Sequence, residues 1–163
     1  IRDRSGTRGG LAARVSSMTT GRPPYPAWMY RQSAALPCRW SGDDLEVLLV
    51  TSRKGKHWIL PKGIIEPGMA PPESAAKEAE EEAGVIGEVS SESIGSYQYR
   101  KWGGTCHVEV FALRVQVELN EWEESSMRQR LWQPLPEALL LVDNADLRAV
   151  IARFGDVAEA PEA

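Results

Sequence analysis

The sequence predicts a single α/β or α+β domain in which a mixed β-sheet is sandwiched between helices. Two segments have strong strand patterns. Residues 45–52 (LEVLLVTS) are apolar enough to be buried on both faces, and residues 106–119 (CHVEVFALRVQVEL) alternate in polarity. Between them, residues 63–85 (GIIEPGMAPPESAAKEAEEEAGV) contain a helix with a glycine at each end. This order of elements favours a sheet covered by helices on its faces.

Length and composition limit the classes of protein to which the chain can belong. Its 163 residues are 42% hydrophobic and 26% charged, which is enough for one domain with a hydrophobic core. The formal net charge is −4 and the pI is near 5.3, so nothing indicates a nucleic acid polymer as partner. No apolar run is long enough to cross a membrane, and no segment has the pattern of a signal peptide. We therefore expect a cytoplasmic protein with no membrane partner, either a monomer or a homodimer.

Changes in composition predict the domain boundaries. Residues 1–26 are rich in Arg, Gly, Ser, Thr and Pro, and we expect a flexible N-terminal tail there. The folded domain is expected over residues 27–154, followed by a loose C-terminal tail over residues 155–163. Cys38 and Cys106 are too few for a disulfide framework, and we expect free, buried thiols.

Shorter elements are predicted from turn and capping signals. Residues 27–40 favour one or two strand segments, interrupted or placed at a sheet edge by Pro37. The others are a short strand at 57–60, strand material over 86–101, a hairpin turn at 102–105, a short strand at 131–132 and a short helix at 134–142. Asp143 or Asn144 is expected to cap a last helix that runs to about Phe154.

The helix within residues 63–85 has an acidic edge. At about 100° per residue, Glu78, Glu81 and Glu82 share an arc of roughly 100°. An adjoining arc holds only small side chains, namely Ala75, Ala76, Ala79 and Ala83. Like charges four residues apart oppose helix formation, and a hard divalent cation such as Mg²⁺ or Mn²⁺ would remove that repulsion. We expect the alanine face to pack on the sheet, and a bound cation would account for the acidic edge.

Residues 63–85 resemble the Nudix box, G-x5-E-x7-R-E-U-x-E-E-x-G-U, in which U is aliphatic. Six positions match at the required spacing, namely Gly63, Glu78, Glu81, Glu82, Gly84 and Val85, and Ala79 fills the aliphatic slot. Met69 stands where the pattern has Glu, and Lys77 where it has Arg. The segments MYRQSAALPCRW, HWILPKGIIEPG and ELNEWEESSMRQRLWQPLPEAL extend the resemblance to the branch that cleaves diphosphoinositol polyphosphates and dinucleoside polyphosphates.

The resemblance implies a metal-assisted attack of water on a diphosphate bridge, with Mg²⁺ or Mn²⁺ as cofactor and a small-molecule polyphosphate as substrate. Glu78 and Glu82 match the main metal ligands, and Glu81 matches a ligand or a water-positioning group. The backbone carbonyl of Lys62 matches the main-chain ligand. Without the flanking pattern, the same glutamates would be interpreted as a solvated acidic helix face.

The resemblance does not single out one catalytic base. It implies either a glutamate of the box, Glu81 or Glu82, or a glutamate on a later loop. In this chain the loop candidates are Glu124 and Glu123, in the WEES segment after the long strand. For these two, solvated loop charges are the alternative interpretation.

The two departures from the pattern affect how the site is supported. Met69 is a poor ligand for a hard cation, and Lys77 keeps the positive charge of Arg without its planar fork. Our hypothesis is that the pair Glu73–Lys77, or Glu66, replaces the missing support and that activity survives. The alternative is a catalytically weak or inactive Nudix module that binds a nucleotide or a partner as a sensor.

Basic side chains at strand ends and loops are candidates for binding the polyphosphate. These candidates are Arg31, Arg53, Lys54, Lys62, Arg100 and Arg130, with Lys56, Lys101 and Arg128 as further cations in the same segments. Ordinary solubility charge is the alternative for each. A dinucleotide would stack on an aromatic side chain, such as Tyr97, Tyr99 or Trp102, whereas an inositol polyphosphate needs more cations, so both substrate classes stay open. His57 and His107 are expected to be strand residues rather than ligands.

Overall fold

The computed structural model describes residues 21–162. Most of the N-terminal tail expected over residues 1–26 therefore lies outside the described residues. The described chain enters the fold through one turn of 3₁₀ helix, Ala27–Tyr30. None of the helices in this part of the chain has both the length and the apolar character needed to cross a lipid bilayer.

A mixed β-sheet with three helices forms the described part of the chain, as the sequence predicts. The strands are β1 (Arg31–Ser41), β2 (Asp44–Thr51), β3 (Trp58–Ile59), β4 (Lys62–Ile64), β5 (Val85–Val89), β6 (Gly95–Lys101), β7 (Gly104–Glu118) and β8 (Arg130–Pro134). The helices are α1 (Pro71–Glu78), α2 (Leu135–Leu141) and α3 (Ala145–Val157). Asn144 caps α3 by accepting a hydrogen bond from the backbone N–H of Leu147, and the helix continues beyond the expected end at Phe154.

The strands are ordered β3-β2-β1-β7-β5, with β4 beside β1, β6 beside β7 and β8 beside β2. β1 and β7 are parallel over eight paired positions, from Arg31 opposite His107 to Cys38 opposite Arg114. The other recorded pairs are antiparallel. β1 and β7 therefore form the centre of the sheet, and β4 lies beside the N-terminal half of β1.

Pro37 does not interrupt the first strand or place it at an edge, contrary to the expectation from the sequence. β1 is continuous and central. On the side away from β7, its residues up to Ala34 pair with β4, and those from Cys38 onward pair with β2. Pro37 lies in the gap between these two partners, where its missing N–H removes no ladder hydrogen bond. The sequence alone does not indicate that a second strand begins at this gap.

Helices cover both faces of the sheet. One face packs on α1 and the turn after it through three fully buried residues, Ala75, Ala79 and Ala83. Ala76 is only half-buried, so the expected alanine face is narrower by one residue. The other face packs on α2 and α3 through a second core that contains Ala138, Leu147, Val150 and Ile151. Because alanine is small, α1 approaches the sheet closely, and this brings its acidic edge to Lys62 and Gly63 of β4.

Candidate active site

The acidic helix is α-helical only as far as Glu78. Residues Ala79–Ala83 form a π-helical turn, which Gly84 ends with a left-handed backbone at φ +65°. The spacing of 100° per residue therefore does not hold through Glu81 and Glu82. A π turn inside a helix is rare and is frequent at functional sites. Within this turn the two glutamates differ in solvent exposure, because Glu82 is buried and Glu81 is half-exposed.

Glu82 is fixed by two donors from distant parts of the chain. One carboxylate oxygen accepts a hydrogen bond of 2.8 Å from the backbone N–H of Lys62, and the other accepts one of 3.0 Å from Arg128 Nη2. Burial raises the pKa of Glu82, and the Arg128 charge and the Lys62 N–H oppose that rise. The carboxylate is thus held rigidly at the start of β4.

Glu78 lies against the α-carbon of Gly63. A Cβ added to Gly63 would meet the Glu78 carboxylate and would stand 2.8 Å from its Oε2 atom, so only glycine leaves room for this carboxylate. No hydrogen bond or ion pair to Glu78 is found among residues 21–162. Burial, followed by the negative charges of Glu82 and Glu81, raises the pKa of Glu78 to about 7. The charge of Lys77 opposes this rise, but no described cation pairs directly with the carboxylate.

Glu81 and Lys77 form a partly exposed pair beside these two carboxylates. Lys77 Nζ lies 3.9 Å from Glu81 Oε1 and 3.7 Å from Glu66 Oε1. Of the two replacements expected for the missing support, Glu66 lies beside Lys77, whereas the described residues show no ion pair between Glu73 and Lys77. Burial raises the pKa of Glu81, and the Lys77 charge opposes that rise.

Arg128 connects the box to the later loop. Its Nε donates to Glu124 Oε1 at 2.9 Å, its Nη2 to Glu82, and its Nη1 to the carbonyl of Thr51 at 2.9 Å. The backbone N–H of Glu124 also donates to the carbonyl of Glu81 at 3.1 Å. Of the two loop candidates, Glu124 is therefore part of the carboxylate cluster, and Glu123 is exposed to solvent.

The donor set fits a hard divalent cation. Among residues 21–162, no three His, Cys, Asp or Glu side chains converge in a preformed metal cage. Glu82 is engaged with Lys62 and Arg128 instead, but each of its oxygens keeps a free lone pair. The unpaired carboxylate of Glu78 contributes a negative charge beside Gly63, and all these donors are oxygen atoms of the kind that Mg²⁺ and Mn²⁺ prefer.

A cavity of about 780 Å³ begins at this cluster and extends to the connection between α2 and α3. Glu82 and Gly63 line its end at the box. Its cations are Arg53, Lys62, Lys101 and Arg128, and its aromatic side chains are Trp58, Tyr97, Tyr99 and Trp102. The cavity can therefore hold a molecule that has both anionic groups and a flat or apolar part.

Lys62 stands between the carboxylates and the aromatic wall. Its Nζ lies 5.0 Å from the centre of the Tyr99 ring. Burial lowers the pKa of Lys62 to about 8, the charge of Glu82 opposes this, and nearby Lys101 and Arg128 lower it further. A desolvated ammonium group of this kind interacts strongly with an anion that enters the cavity.

The other basic candidates are divided between the cavity and the rest of the surface. Arg53 lines the cavity, whereas Arg31 and Lys54 are exposed and are not among its lining residues. Arg100 lines a separate cavity of about 360 Å³ and donates a hydrogen bond of 3.0 Å to Thr105 Oγ1. The positions of Arg31, Lys54 and Arg100 therefore do not support substrate binding in the main cavity.

The position of Arg130 does not support the expected contact with the substrate. Its guanidinium donates to the carbonyl of Ala83 at 2.9 Å and to that of Leu119 at 2.6 Å. It also stacks on Trp122, with 4.0 Å between the guanidinium carbon and the ring centre. Arg130 thus ties the end of the π turn to the loop after β7, and it does not line the cavity.

Three residues of the site gave little signal in the sequence. Gln32 lines the cavity and accepts a hydrogen bond from the Tyr99 hydroxyl at 2.7 Å. Trp122 donates from its indole N–H to the carbonyl of Glu82 at 3.0 Å. His57 precedes β3 instead of lying in a strand, and its Nδ1 is 2.8 Å from Asp143 Oδ2 at the rim of the cavity. Each contact joins residues at least 40 positions apart, which no local pattern reports.

Solved structures with a similar fold include two of a C. elegans Ap4A hydrolase. One is a crystal structure that aligns with 77% of this chain and 96% of its own chain, with a TM-score of 0.64 and 20% sequence identity. The solution structure of the E. coli ORF135 protein aligns with 78% of this chain and 89% of its own, with a TM-score of 0.60 and 22% identity. At such identities, the similarity establishes the fold alone.

Comparison of the sequence with family models and curated proteins identifies the family. The model described as NUDIX domain matches residues 29–154. "Nudix hydrolase 21, chloroplastic" from Arabidopsis thaliana is 38% identical over 132 residues, 77% of this chain and 66% of the relative. "Diphosphoinositol polyphosphate phosphohydrolase 2" from Rattus norvegicus is 37% identical over 114 residues, 68% of this chain and 62% of the relative. These alignments span less than two thirds of each relative's length. The match over residues 29–154 shows that the chain belongs to the Nudix family.

Proposed function

We propose that this protein is a metal-dependent hydrolase that cleaves a diphosphate linkage by attack of water, with Mg²⁺ or Mn²⁺ as the cation. The observation that carries the proposal is the pair Glu78 and Glu82. One carboxylate is unpaired against Gly63, and the other is fixed at the end of a cavity lined by cations. Membership in the Nudix family supports the same reaction class.

Glu78, Glu82 and the carbonyl of Lys62 would hold the cation. When bound, a divalent cation neutralises the diphosphate and lowers the pKa of a water molecule. Arg128 keeps Glu82 in place and favours its charged form, because both groups are buried and only 3.0 Å apart. Gly63 gives Glu78 room to approach the backbone at the start of β4.

Two carboxylates are candidates for accepting the proton of the attacking water. Glu81 is half-exposed and only weakly paired with Lys77, at 3.9 Å. Glu124 uses one oxygen to pair with Arg128, and no described residue binds its second oxygen. Both oxygens of Glu82 accept hydrogen bonds, which makes Glu82 a weaker candidate for the base. The variants Glu81→Gln and Glu124→Gln separate the first two: loss of the base lowers kcat and leaves Mn²⁺ binding intact.

The cavity supports two substrate classes, a nucleoside-diphosphate-linked compound and a diphosphoinositol polyphosphate. Arg53, Lys62 and Lys101 offer positive charge to phosphates, which both classes have. Tyr99 and Trp102 offer flat faces, which favours a nucleoside. The names of the rat relative and of the C. elegans hydrolase refer to one class each. We propose both classes as substrates to be compared directly.

A substrate panel tests the proposal. The protein is incubated with Mg²⁺ and, in turn, with diadenosine polyphosphates, diphosphoinositol phosphates, nucleotide sugars and nucleoside triphosphates, and the products are identified by mass spectrometry. We expect turnover of at least one diphosphate-linked compound and none in excess EDTA. Turnover that persists in EDTA would contradict the metal-dependent mechanism.

The second candidate is a weak or inactive Nudix module that binds a nucleotide or a partner as a sensor. Met69 and Lys77, which replace two residues of the family pattern, are the observations that favour it. Tight binding of one panel member without turnover of any would support this alternative. A silent wild type that Met69→Glu makes active would show that Glu66 and Lys77 do not replace the missing support.

We also propose that the protein is cytoplasmic and is a monomer or a homodimer. Its two cysteines, Cys38 and Cys106, are free, which is typical of a reducing compartment. The names of several relatives refer to chloroplasts or mitochondria, so cell fractionation is the deciding measurement. Sedimentation velocity distinguishes the two oligomeric states.

A further inference from the structure

Ser33, in the middle of β1, has a buried hydroxyl without a partner. The residue is completely inaccessible to solvent. Within residues 21–162, its Oγ is the one buried side-chain oxygen or nitrogen that makes no hydrogen bond. Leaving such a group unsatisfied costs about 1–3 kcal/mol, and alanine would avoid that cost at this position. The hydroxyl is therefore available to a neighbouring acceptor.

The register of the sheet shows where the Ser33 side chain points. Ala34 belongs to the core under α2 and α3, and Ala35 belongs to the core under α1. Since side chains alternate along a strand, Ser33 faces α1. In the antiparallel pair of β1 and β4, Ser33 lies opposite Gly63, and opposite residues point to the same face.

The Glu78 carboxylate occupies the space beside Gly63 on that same face. A Cβ on Gly63 would stand 2.8 Å from Glu78 Oε2. Opposite Cβ positions in such a pair are about 4.5–5.5 Å apart. The Ser33 hydroxyl and the Glu78 carboxylate thus border the same space beside Gly63, and they are not hydrogen-bonded to each other in this structure. Neither group has another recorded partner among the described side chains.

We propose that Ser33 is a positioning residue for the metal site, whose hydroxyl donates a hydrogen bond to Glu78 directly or through one water. This inference rests on the proposed function. The hydroxyl occupies one lone pair of the carboxylate and fixes its orientation beside the start of β4. The remaining lone pairs then face the cation that Glu78 and Glu82 would hold. Partners that orient a ligand in this way change metal affinity by about 10- to 100-fold when they are removed.

A purely structural Ser33 predicts different behaviour from a positioning residue. If its hydroxyl is only a tolerated unsatisfied group, Ser33→Ala removes its cost and raises the melting temperature of the metal-free protein. Mn²⁺ affinity and kcat then stay at the wild-type values. If Ser33 orients Glu78, Ser33→Ala weakens Mn²⁺ binding and lowers kcat, with KM little changed.

Mn²⁺ binding followed by electron paramagnetic resonance tests the inference, because it reads metal affinity without turnover. Ser33→Ala is compared with Ser33→Thr, which keeps the hydroxyl, and with Ser74→Ala as the matched control. Ser74 is also buried on this side, but its hydroxyl already contacts the carbonyl of Ile64 at 3.5 Å. Thermal melting of each metal-free variant confirms that it folds.

We expect about tenfold weaker Mn²⁺ binding for Ser33→Ala. Ser33→Thr and Ser74→Ala should stay within about threefold of the wild type, a range that excludes loss of one orienting hydrogen bond. Unchanged affinity in Ser33→Ala, or equal losses in the Ala and Thr variants, would overturn the positioning role and leave the proposed function intact. A wild type that binds no Mn²⁺ would overturn the proposed function and this inference together.

Discussion

Arg128 joins three separate parts of the chain at the candidate site. It contacts Glu82 from the π turn, Glu124 from the loop after β7, and the carbonyl of Thr51 at the end of β2. Its side chain is only 9% exposed, so the two carboxylates depend on it for charge balance. The sequence identifies Arg128 as a basic residue in a segment near the site. Only the fold shows which three groups it contacts.

Replacing Arg128 by Gln should destabilise the protein by about 3–5 kcal/mol, because two buried carboxylates lose their counter-charge. Arg39→Gln is the matched control. Arg39 also has two acidic partners, Glu46 and Glu118, but its side chain is 41% exposed, and its loss should cost about 1 kcal/mol or less. Urea unfolding measures both. Similar losses for the two variants would contradict the role given to Arg128.

Cys38 makes stability depend on pH in the alkaline range. Burial raises the pKa of its thiol from 9.0 to about 11, against the opposing charge of Arg114. Between pH 9 and pH 11 the unfolded chain releases this proton more readily than the folded protein does, so stability falls as the pH rises. By pH 11 this release of the proton lowers the free energy of unfolding by roughly 2 kcal/mol. Unfolding of Cys38→Ala at both pH values should show a correspondingly smaller decline, and an equal decline would refute this assignment.

At the level of elements, the end of α1 and the π turn carry the carboxylates and place them beside β4. Much of this region follows from the sequence: the box spacing, the helix stop at Gly84 and the alanine face of the helix are local patterns, and the structure has them. The π turn was not predictable, because a periodic pattern assumes one constant angle per residue. Nor was the role of Arg130, since its partners Leu119 and Ala83 come from other elements.

The strands, too, were predictable where local patterns decide their structure and unpredictable where distant partners do. Both strong strands and the hairpin turn at Trp102 were correctly predicted, one strand from its apolar run, the other from alternation, and the turn from its glycines. The uninterrupted course of β1 through Pro37 was not, because it depends on which strands pair on either side of that residue. Local patterns thus report what an element is, whereas pairing between distant segments decides where its side chains point.

Gly63→Ala tests the contact between β4 and α1. The added methyl group would occupy the place of the Glu78 carboxylate, which must move away, while the fold is retained because that side chain is flexible. We expect Mn²⁺ affinity to fall about 10- to 100-fold. Gly42→Ala is the control, since it faces open space at φ +62° and should cost about 1–2 kcal/mol of stability without changing affinity. Unchanged Mn²⁺ binding in Gly63→Ala would contradict the assignment of Glu78 as ligand.

For the molecule as a whole, function depends on which face of the sheet receives the substrate. The net charge of −4 gives no general attraction for an anion. Cations are instead concentrated in the cavity on the α2–α3 side, whereas Arg31 and Arg100 are not among its lining residues. Many basic residues near the site in the sequence are thus separated from it in the fold.

Neutralising single cations should distinguish those that line the cavity from those that lie elsewhere on the surface. Arg53→Gln and Lys101→Gln, both in the cavity, should each raise KM about five- to tenfold with little change in kcat, since one charge-assisted contact is lost. Arg31→Gln and Arg100→Gln serve as controls and should change KM by less than about twofold, as expected for charges screened by solvent. Steady-state kinetics at low salt gives these values. A larger effect for the controls would place the substrate outside the cavity.

The most direct test of the central claim is the rate of hydrolysis of one diphosphate-linked substrate as a function of Mg²⁺ concentration, for the wild type and for Glu78→Gln. Glutamine keeps the shape of Glu78 and removes the charge that the cation would balance. The account predicts saturable activation of the wild type by Mg²⁺, no turnover in EDTA, and a loss of at least about 100-fold in the variant. Equal rates for the two proteins, or hydrolysis without any divalent cation, would contradict it.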